Sequence, residues 1–561
     1  MTIWTNHSLG IKYGIALLLT YTLFYSLLPY FITEGVAKQN STIGEYQVAN
    51  GLTNGPVFEI SKVRGSEEES PKADVPVYEY PRTDDSGEEE EVSFNTSTTT
   101  TTTTERPIID TQAYIINTYY YPRSRSFGKD GLAMVLLLNR NTMAEITNYN
   151  MTLVASNGND SVVVVPKLTK EVYDSCTYVN VLAKTNVLPG MTKLEIVDGE
   201  TRMEIPFRKP RATAPAPVII CITPQFLSEQ WQLFVIQAHV ARRFGGHIHL
   251  SVISMIDTFF QLVKEYEKQG YVTLDYWIRP KFASSPDAPE PNANMEWRNI
   301  GGGFTDCLLQ YKEAASFITF FDLDDILFPR GFDSYYAEFS SISLSNPTIR
   351  TFHYDKREYL IYRESQLDDI DFKEMFGHSW YASQIFVGKA VAKPENVDSM
   401  WIHKSFNIGD EERLYLKNNF IFHLQKPKER NGTELSIMKV DFVEMKELQR
   451  DQKVLVSLQE DFERMLNLTE VQSVSNNLQR DNFYLPLMYK CYHDRFYKLY
   501  NQSYIVQTKI CGNNEGCEIP QRQDLKCVHS DADYVSGPQM SPITFHYHIN
   551  SRFNRNVDCS Q

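Results

Sequence analysis

Three aspartates follow a hydrophobic run in this chain, and their position predicts a metal site. The run Phe317-Ile-Thr-Phe-Phe321 is rich in β-forming residues and ends at Asp322-Leu-Asp-Asp325. Carboxylates beside a core strand are costly to bury unless a cation or hydrogen bonds compensate their charge. Because ligands bind at the carboxyl edge of open α/β sheets, this acidic end predicts a divalent-metal site there.

Two classes of enzyme place Asp-x-Asp at the end of a strand. In haloacid-dehalogenase-type phosphatases the first aspartate is a nucleophile, and the motif belongs on the first strand of the domain. Here several βαβ elements precede it, and Ile326 replaces the usual Thr or Val. In nucleotide-sugar glycosyltransferases the carboxylates hold Mn²⁺ or Mg²⁺ against a diphosphate leaving group, and the ion stabilises the departing charge. The second class is favoured.

The elements around the motif predict an α/β domain. Strand and helix patterns alternate in the order strand Val218–Thr223, helix Leu227–Phe244, strand His249–Ser254, helix Asp257–Lys268, strand Val272–Trp277 and helix Phe304–Ala314. Such alternation predicts βαβ units and a parallel sheet. Two further Asp-x-Asp triplets, Asp369-Ile-Asp371 and Asp531-Ala-Asp533, follow no hydrophobic strand, so we expect them on the solvated surface.

A β-rich region precedes the α/β domain. Short β-rich runs between Ala113 and Phe207 are separated by turn signals, among them Asn157-Gly158 and Asp198-Gly199. This pattern predicts a small β-sandwich-like module over residues 108–208. The α/β domain then spans 215–485, and a Cys-rich carboxyl-terminal extension spans 486–561.

The amino-terminal region predicts a membrane protein of the secretory pathway. Residues 13–33 contain no charged side chain and are long enough for one membrane-spanning helix, which makes residues 1–12 a cytosolic tail. A cleaved signal peptide is the alternative. Residues 34–107 are acidic and Thr-rich, without hydrophobic periodicity, so they predict a disordered stem. The sequence therefore predicts a single-pass type II protein of the Golgi membrane with a lumenal catalytic domain.

Sequons and cysteines agree with a lumenal chain. Seven Asn-x-Ser/Thr sequons follow the hydrophobic segment, at Asn40, Asn95, Asn150, Asn159, Asn431, Asn467 and Asn501. The chain has eight cysteines, five of them after residue 490, which predicts disulfides in the extension. The net charge of −15 argues against nucleic acid as a partner.

The α/β domain resembles glycosyltransferase family 92, and looks most like its nematode members with an extra amino-terminal β region. The resemblance spans roughly residues 216–428. The segments that carry it are Val218-Ile-Ile-Cys221, Thr305-Asp-Cys307, Phe321-Asp-Leu-Asp324 with Pro329, Gly388-Lys389, Lys393-Pro-Glu-Asn-Val397, Met400-Trp-Ile-His403 and Phe420-Ile-Phe-His423. Their order and spacing together are more specific than any one segment.

The resemblance implies a GT-A fold, a Rossmann-like nucleotide-sugar-binding domain, and an inverting hexosyltransferase. The implied donor is a UDP-sugar, with UDP-galactose favoured, and the implied acceptor is a glycan or glycoprotein. Asp322, Asp324 and His403 would hold Mn²⁺ or Mg²⁺, with a core histidine as the alternative for His403. Asp306, Asp322 and Lys389 would bind the nucleotide sugar, although Asp306 could instead cap or salt-bridge its helix and Lys389 could be a solvated surface residue. His423 is expected to be structural. Cys221 and Cys307 would form a disulfide or remain buried thiols.

Inversion also needs a carboxylate base to deprotonate the acceptor hydroxyl. Asp371, Glu374 and Asp410 are candidates from two acidic runs, and the sequence does not choose among them. Thr305, Asp325 and Gln425 depart from the family's usual Asn, Glu and Arg. These departures favour, as the alternative to an enzyme, a catalytically inactive lectin-like protein of the lumen.

Overall fold

The computed structural model describes residues 111–140, 151–171, 175–282, 290–377, 379–424, 428–429, 442–444, 452–497, 511–513, 515–540 and 543–559. The predicted membrane segment 13–33 and the predicted stem 34–107 lie outside these residues. No helix within the described ranges has both the length and the apolar character needed to cross a bilayer.

Eight strands form the described part of the amino-terminal β region, as the alternation of β-rich runs and turn residues predicts. They are β1 (Thr111–Ser124), β2 (Gly128–Asn139), β3 (Thr152–Ser156), β4 (Ser161–Val164), β5 (Lys167–Glu171), β6 (Tyr178–Asn186), β7 (Lys193–Asp198) and β8 (Thr201–Glu204). Gly158 and Gly199 have φ angles of +91° and +56° in the β3–β4 and β7–β8 hairpins, so both predicted turns are confirmed. The four-stranded sheet β4-β3-β7-β8 shares one apolar core with β1, β2 and β6, which makes a sandwich.

The following elements build a mixed α/β domain. They are β9 (Val218–Gln225), α1 (Trp231–Arg243), β10 (Gly246–Val252), β11 (Ser254–Ile256), α2 (Asp257–Lys268), β12 (Val272–Tyr276), α3 (Ile300–Tyr311), β13 (Phe317–Phe321), β14 (Asp325–Ile326), α4 (Tyr335–Ser345), β15 (Thr351–Leu360), β16 (Tyr362–Arg363), α5 (Phe372–Gly377), β17 (Trp380–Ala382), β18 (Phe386–Ala392), β19 (Arg413–His423), β20 (Lys428–Glu429) and β21 (Phe442–Glu444). Three helices follow: α6 (Gln452–Leu466), α7 (Thr469–Ser475) and α8 (Tyr484–Tyr492).

The central sheet has a parallel half and a mixed half, in which most pairs are antiparallel but β15 and β19 are parallel. β12, β10, β9 and β13 are parallel neighbours in that order, and β18 pairs antiparallel with β13. In chain order the parallel strands are therefore arranged 3-2-1-4. The chain leaves β9 toward β10 on one side and returns to β13 on the other, so the strand order reverses between β9 and β13. Ligands of doubly wound sheets bind at the carboxyl ends of strands at such a point.

Helices cover both faces of this sheet because its central strands are apolar on both sides. Val218, Ile220 and Ile222 of β9 belong to a core shared with α1, α2 and α4. Ile219 and Cys221 belong to a separate core on the opposite face, shared with α3. The sheet therefore lies between two helical layers, with the acidic motif at its carboxyl edge.

The last two strands return to the amino-terminal β region. β22 (Cys527–Met540) and β23 (Ile543–Val557) form an antiparallel hairpin, and β23 pairs in parallel with β1 through Thr111↔Ile543 to Tyr114↔His546. β11 of the α/β domain pairs with the outer side of β22. The carboxyl-terminal extension is thus part of the sandwich sheet.

Four disulfides join these parts, and no free cysteine occurs among the described residues. Cys491–Cys517 and Cys527–Cys559 lie within the extension, as predicted. Cys221–Cys307 ties β9 to α3, which decides between the two alternatives left by the sequence. Cys176–Cys511 connects the sandwich to the extension.

Candidate functional site

The acidic motif begins where β13 ends, beside the carboxyl end of β9. Asp322 directly follows β13, and its side chain is 32% exposed, whereas that of Asp324 is 16% exposed and Asp325 is fully buried. The backbone N–H of Asp322 donates to Asp325 Oδ2 at 3.0 Å, which closes a tight turn. The turn therefore presents the carboxylates of Asp322 and Asp324 outward and holds that of Asp325 beneath them.

Asp325 carries a buried oxygen that lacks a hydrogen-bond partner. Its Oδ1 accepts no hydrogen bond from any residue that the structure describes. Leaving a charged acceptor buried and unpaired is costly, so such an atom is expected to face a proton or a cation.

Strand β19 brings His423 to the turn of residues Asp322–Asp325, called the acidic turn below. His423 is the register partner of Asp325 in the β14–β19 pair, and its Nε2 lies 3.4 Å from Asp324 Oδ2. One ligand atom from each of Asp324, Asp325 and His423 lies within 4.8 Å of the others. The structure therefore places His423, which the sequence assigned to a structural position, in a group whose ligand atoms are close enough together to hold one metal ion.

Strand β18 brings Lys389 to the other side of the turn. Lys389 Nζ lies 2.7 Å from Asp322 Oδ2 and 3.9 Å from Asp325 Oδ2, and the side chain is 1% exposed, so it is not a solvated surface lysine. The preceding residue must be glycine, because a Cβ on Gly388 would lie 1.9 Å from the carbonyl oxygen of Tyr354 on β15. The Gly388-Lys389 pair thus combines close strand packing with a buried cation at the site.

Lys356 on β15 is a cation near the site that the sequence analysis missed. Burial lowers the pKa of Lys356, but the carboxylates of Asp325, Glu358, Asp322 and Asp324 outweigh burial and raise it above its ordinary value. A charged lysine at position 356 is therefore stabilised by the acidic group. In the sequence, Lys356 and Glu358 alternate along one strand with opposite charges. Only the pairing of β15 with β19 shows that this strand lies beside the acidic turn.

The two outward carboxylates differ in proton affinity. Burial raises the pKa of Asp322, but the Lys389 ammonium overcomes this effect and holds the pKa well below its usual range. Burial raises the pKa of Asp324 to about 6, although the charge of His423 opposes the increase. Asp322 thus remains ionised, whereas Asp324 binds a proton more readily. Such a difference is expected where several carboxylates lie close together with too little positive charge to balance them.

His403 lies near Lys389 but outside the group of three. Its Nδ1 is 2.8 Å from the carbonyl oxygen of Gly388, an acceptor, so Nδ1 carries the proton and Nε2 carries the lone pair. Burial and the Lys389 charge lower the pKa of His403 to about 3, which keeps the ring neutral. This tautomer is compatible with the predicted role as a ligand, which remains a prediction.

Asp306 contacts the sandwich. Its carboxylate accepts hydrogen bonds from Asn117 at 2.8 Å and Tyr119 at 2.7 Å, and it pairs with Arg208 at 3.2 Å. Gln310, one turn later on α3, donates at 3.1 Å. These contacts match the salt-bridge alternative that the sequence left open for Asp306, and they connect α3 to the β region.

The three candidate bases lie on surface turns. Asp371 Oδ1 accepts from the backbone N–H groups of Lys373 and Glu374 at 2.8 and 3.1 Å, so it caps the start of α5. Glu374 is exposed in the first turn of that helix. Asp410 forms an ion pair with Arg413 and is 90% exposed. None of these contacts involves the acidic turn, and the base remains unassigned.

The donor set at the acidic turn fits a divalent cation. Two carboxylates and one imidazole lie close together, and one buried carboxylate oxygen has no protein donor among the described residues. Mn²⁺ accepts such a mixed oxygen and nitrogen set, whereas Mg²⁺ prefers oxygen ligands and water. The residues present therefore fit the ion that the sequence predicts.

Comparison with known proteins gives one family. The sequence profile described as glycosyltransferase family 92 matches residues 216–466. The Caenorhabditis elegans glycosyltransferase family 92 protein ZK381.2 is 39% identical over 457 residues, covering 80% of this chain and 90% of the relative. A second C. elegans member, F55C10.4, is 36% identical with coverage of 80% and 91%.

Proteins of solved structure are less similar to this chain than its sequence relatives are. The mannosyltransferase PcManGT from Pyrobaculum calidifontis, in complex with GDP-Man and Mn²⁺, has a TM-score of 0.20 at 12% identity and covers 54% of this chain and 88% of its own. S. aureus TarS 1-349 has a TM-score of 0.19 at 9% identity, with coverage of 37% and 60%. The family assignment rests on the sequence relatives, because ZK381.2 is 39% identical across most of both chains. The chain belongs to glycosyltransferase family 92.

Proposed function

We propose that this glycosyltransferase is a metal-dependent, inverting hexosyltransferase that moves a sugar from a UDP-sugar, with UDP-galactose favoured, to a glycan or glycoprotein. The observation that carries the proposal is the acidic turn at the point where the strand order of the parallel sheet reverses. A 3-2-1-4 order of parallel strands with an acidic turn after the fourth, where two carboxylates and a histidine lie close together, supports a GT-A type of nucleotide-sugar site.

Each group at the turn has a proposed task. Asp324, Asp325 and His423 would hold the divalent cation, which would supply Lewis-acid stabilisation of the diphosphate. Lys389 offsets the negative charge of the turn and stabilises the diphosphate as it leaves. Asp322 fixes the position of Lys389 through the 2.7 Å ion pair of its Oδ2 and offers its other carboxylate oxygen to the ribose.

The proposed reaction is one displacement at the anomeric carbon. The acceptor oxygen forms the new bond to this carbon from the face opposite the nucleotide, and the bond from the carbon to the phosphate oxygen breaks. The electron pair of that bond leaves with the UDP, and the hydroxyl proton passes to a carboxylate base. Burial of Asp325 and Lys389 fixes the charges on the leaving-group side before the donor arrives.

We further propose that the protein is a single-pass type II protein of the Golgi membrane. The uncharged segment 13–33 and the sequons support this location. Asn159 and Asn467, the two sequon asparagines in the described ranges, are both exposed, as glycosylation requires.

A donor screen tests the function. Purified protein is incubated with UDP-galactose, UDP-glucose and UDP-N-acetylglucosamine in turn, with Mn²⁺ and a mixture of glycans, and UDP release is measured. We expect release with UDP-galactose, a glycan product that is one hexose larger, and loss of both in EDTA. Full activity in EDTA would contradict the metal role, and binding of glycan without binding of UDP would favour the lectin-like alternative.

The phosphatase alternative loses its support in the structure. Its motif belongs on the first strand of the domain, whereas β13 is the fourth parallel strand in chain order and β9 is the first. We expect no phosphate release from p-nitrophenyl phosphate.

A further inference from the structure

His423 lies between carboxylates on two neighbouring strands. β19 pairs with β14 on one side, which places His423 opposite Asp325, and with β15 on the other, which places it opposite Glu358. Because register partners in a sheet bring their side chains close together, the imidazole is flanked by an acid of the turn and an acid of β15.

The two ring nitrogens have different partners. His423 Nδ1 is 2.8 Å from Glu358 Oε1, and Nε2 is 3.4 Å from Asp324 Oδ2. The His423 and Glu358 side chains are 6% and 9% exposed. An ionised carboxylate only accepts hydrogen bonds, so Nδ1 must be the nitrogen that donates to Glu358. In the neutral ring this leaves the lone pair on Nε2, facing an acidic oxygen, and two such atoms need a cation or a proton between them.

We propose that Glu358 is a positioning residue that fixes the tautomer and orientation of His423, so that Nε2 points to the cation site formed with Asp324 and Asp325. The inference rests on the proposed metal-dependent function. A carboxylate that accepts from the far nitrogen of a metal-binding histidine holds the ring in place and makes the near nitrogen a better ligand. Glu358 does this from a neighbouring strand, without facing the ion itself.

The chain offers a matched control pair. His239 Nδ1 is 2.7 Å from Asp461 Oδ2, and Nε2 is 2.9 Å from Tyr266 Oη, all in a buried position between α1, α2 and α6. This pair has the same chemistry as His423 and Glu358, but its other nitrogen meets a tyrosine instead of the acidic turn. Asp461→Asn therefore removes one buried carboxylate–histidine contact without altering the proposed cation site.

The test measures Mn²⁺ binding to the nucleotide-free protein by isothermal titration calorimetry and by the electron paramagnetic resonance signal of free Mn²⁺. We expect Glu358→Gln to raise the Mn²⁺ Kd by about 10–100-fold, the usual cost of losing such a supporting group. Asp461→Asn should leave the Kd within about twofold, although it lowers the Tm. Glu358→Asp, which keeps the charge with a shorter reach, should fall between the wild type and Glu358→Gln.

The outcomes separate the inference from the proposed function. Wild-type affinity in Glu358→Gln, or an equal loss in Asp461→Asn, overturns the positioning role and leaves the metal-dependent function intact. No Mn²⁺ binding by the wild type overturns both. If Glu358→Gln does not fold, the wild type with selective ¹⁵N-histidine labelling and bound Mg²⁺ decides: a proton on His423 Nδ1 supports the proposal, and a proton on Nε2 overturns it.

Discussion

At the scale of single residues, Asp324 is the carboxylate on which the proposed cation depends. It is partly exposed, and its Oδ2 lies 3.4 Å from His423. We expect Asp324→Asn to reduce UDP release at least 100-fold, because Lewis-acid stabilisation of a leaving group contributes several kcal/mol. The Tm should stay near that of the wild type, since the substitution keeps the shape of the side chain and removes charge from a crowded acidic group.

Asp369→Asn is the matched control for this change. Asp369 belongs to another Asp-x-Asp triplet, is exposed, and accepts a hydrogen bond from Gln366 at 3.3 Å. UDP release and Mn²⁺ affinity should match those of the wild type. Undiminished release in Asp324→Asn would remove the basis of the proposed mechanism.

His403 and His423 are alternative candidates for the imidazole ligand of the proposed cation, and their alanine variants distinguish them. The resemblance to the family assigned the ligand to His403, whereas the geometry groups His423 with Asp324 and Asp325. We expect His423→Ala to raise the Mn²⁺ Kd by at least tenfold, and His403→Ala to change it much less. The opposite order would return the ligand to His403, and calorimetry on the two proteins side by side decides it.

The sequence identified Asp322, Asp324 and Lys389 because each lies in a short segment with its own pattern. Asp325 belongs to the same acidic run as Asp322 and Asp324. Lys356 and Glu358 were indicated only by their alternation along one strand. These two residues reach the site through β15, whose parallel pairing with β19 joins residues about 60 positions apart. Such long-range register is set by the whole sheet, so local sequence patterns do not reveal it.

At the scale of elements, helix α4 is attached to the sheet through a buried acid. Glu338 is fully buried, and its carboxylate accepts from Tyr354 Oη at 2.9 Å and Asn419 Nδ2 at 3.2 Å. Burial raises the pKa of Glu338 from 4.5 to about 7, despite these hydrogen bonds. The folded protein therefore keeps a proton that the unfolded chain releases above about pH 4.5.

This pKa shift makes stability depend on pH. Its contribution is complete below pH 4.5 and is lost as the pH rises through about 7, with a slope of at most about 1.4 kcal/mol per pH unit. Glu338→Gln removes this slope and keeps an acceptor for Tyr354. We expect the variant to lose less stability than the wild type between pH 5 and pH 8 in urea unfolding.

Glu460→Gln, on the exposed side of α6, is the control and should follow the wild type. If the free energy of unfolding changes equally with pH in all three proteins, Glu338 is not the source of the pH dependence.

Local patterns predicted most elements of the α/β domain. Helix α2 (Asp257–Lys268) has the predicted bounds, and β9 and β12 begin at the predicted residues. Helix α1 begins at Trp231 instead of Leu227, because Leu227 has a φ of +45° and a helical conformation begins only beyond it. The β22–β23 hairpin was not predicted as part of the sandwich, since its pairing with β1 joins residues more than 400 positions apart.

At the scale of the whole molecule, the sandwich and the α/β domain are joined by strand pairing and by a buried polar contact. β11 extends the sandwich sheet from within the α/β domain, and Tyr119 Oη and Arg208 both meet Asp306 of α3. A contact of this kind couples the two parts, so they should unfold together. We expect one transition in differential scanning calorimetry, detected at the same temperature by near-UV circular dichroism.

The Asp306 contact also distinguishes a structural task from a nucleotide-binding one. Arg208→Ala leaves the Asp306 charge with neutral donors only among its described contacts, on a side chain that is 6% exposed. Breaking a buried pair costs about 3–5 kcal/mol, but Arg208 is 41% exposed, so we expect roughly 2 kcal/mol and a lower Tm. UDP affinity, measured by calorimetry, should not change.

Arg202→Ala is the control for Arg208→Ala. The ion pair of Arg202 with Glu195 is 3.6 Å long and Arg202 is 53% exposed, so the loss of stability should stay below about 0.5 kcal/mol. A variant of Arg208 that keeps the wild-type Tm but loses UDP affinity would show that Asp306 serves the nucleotide after all.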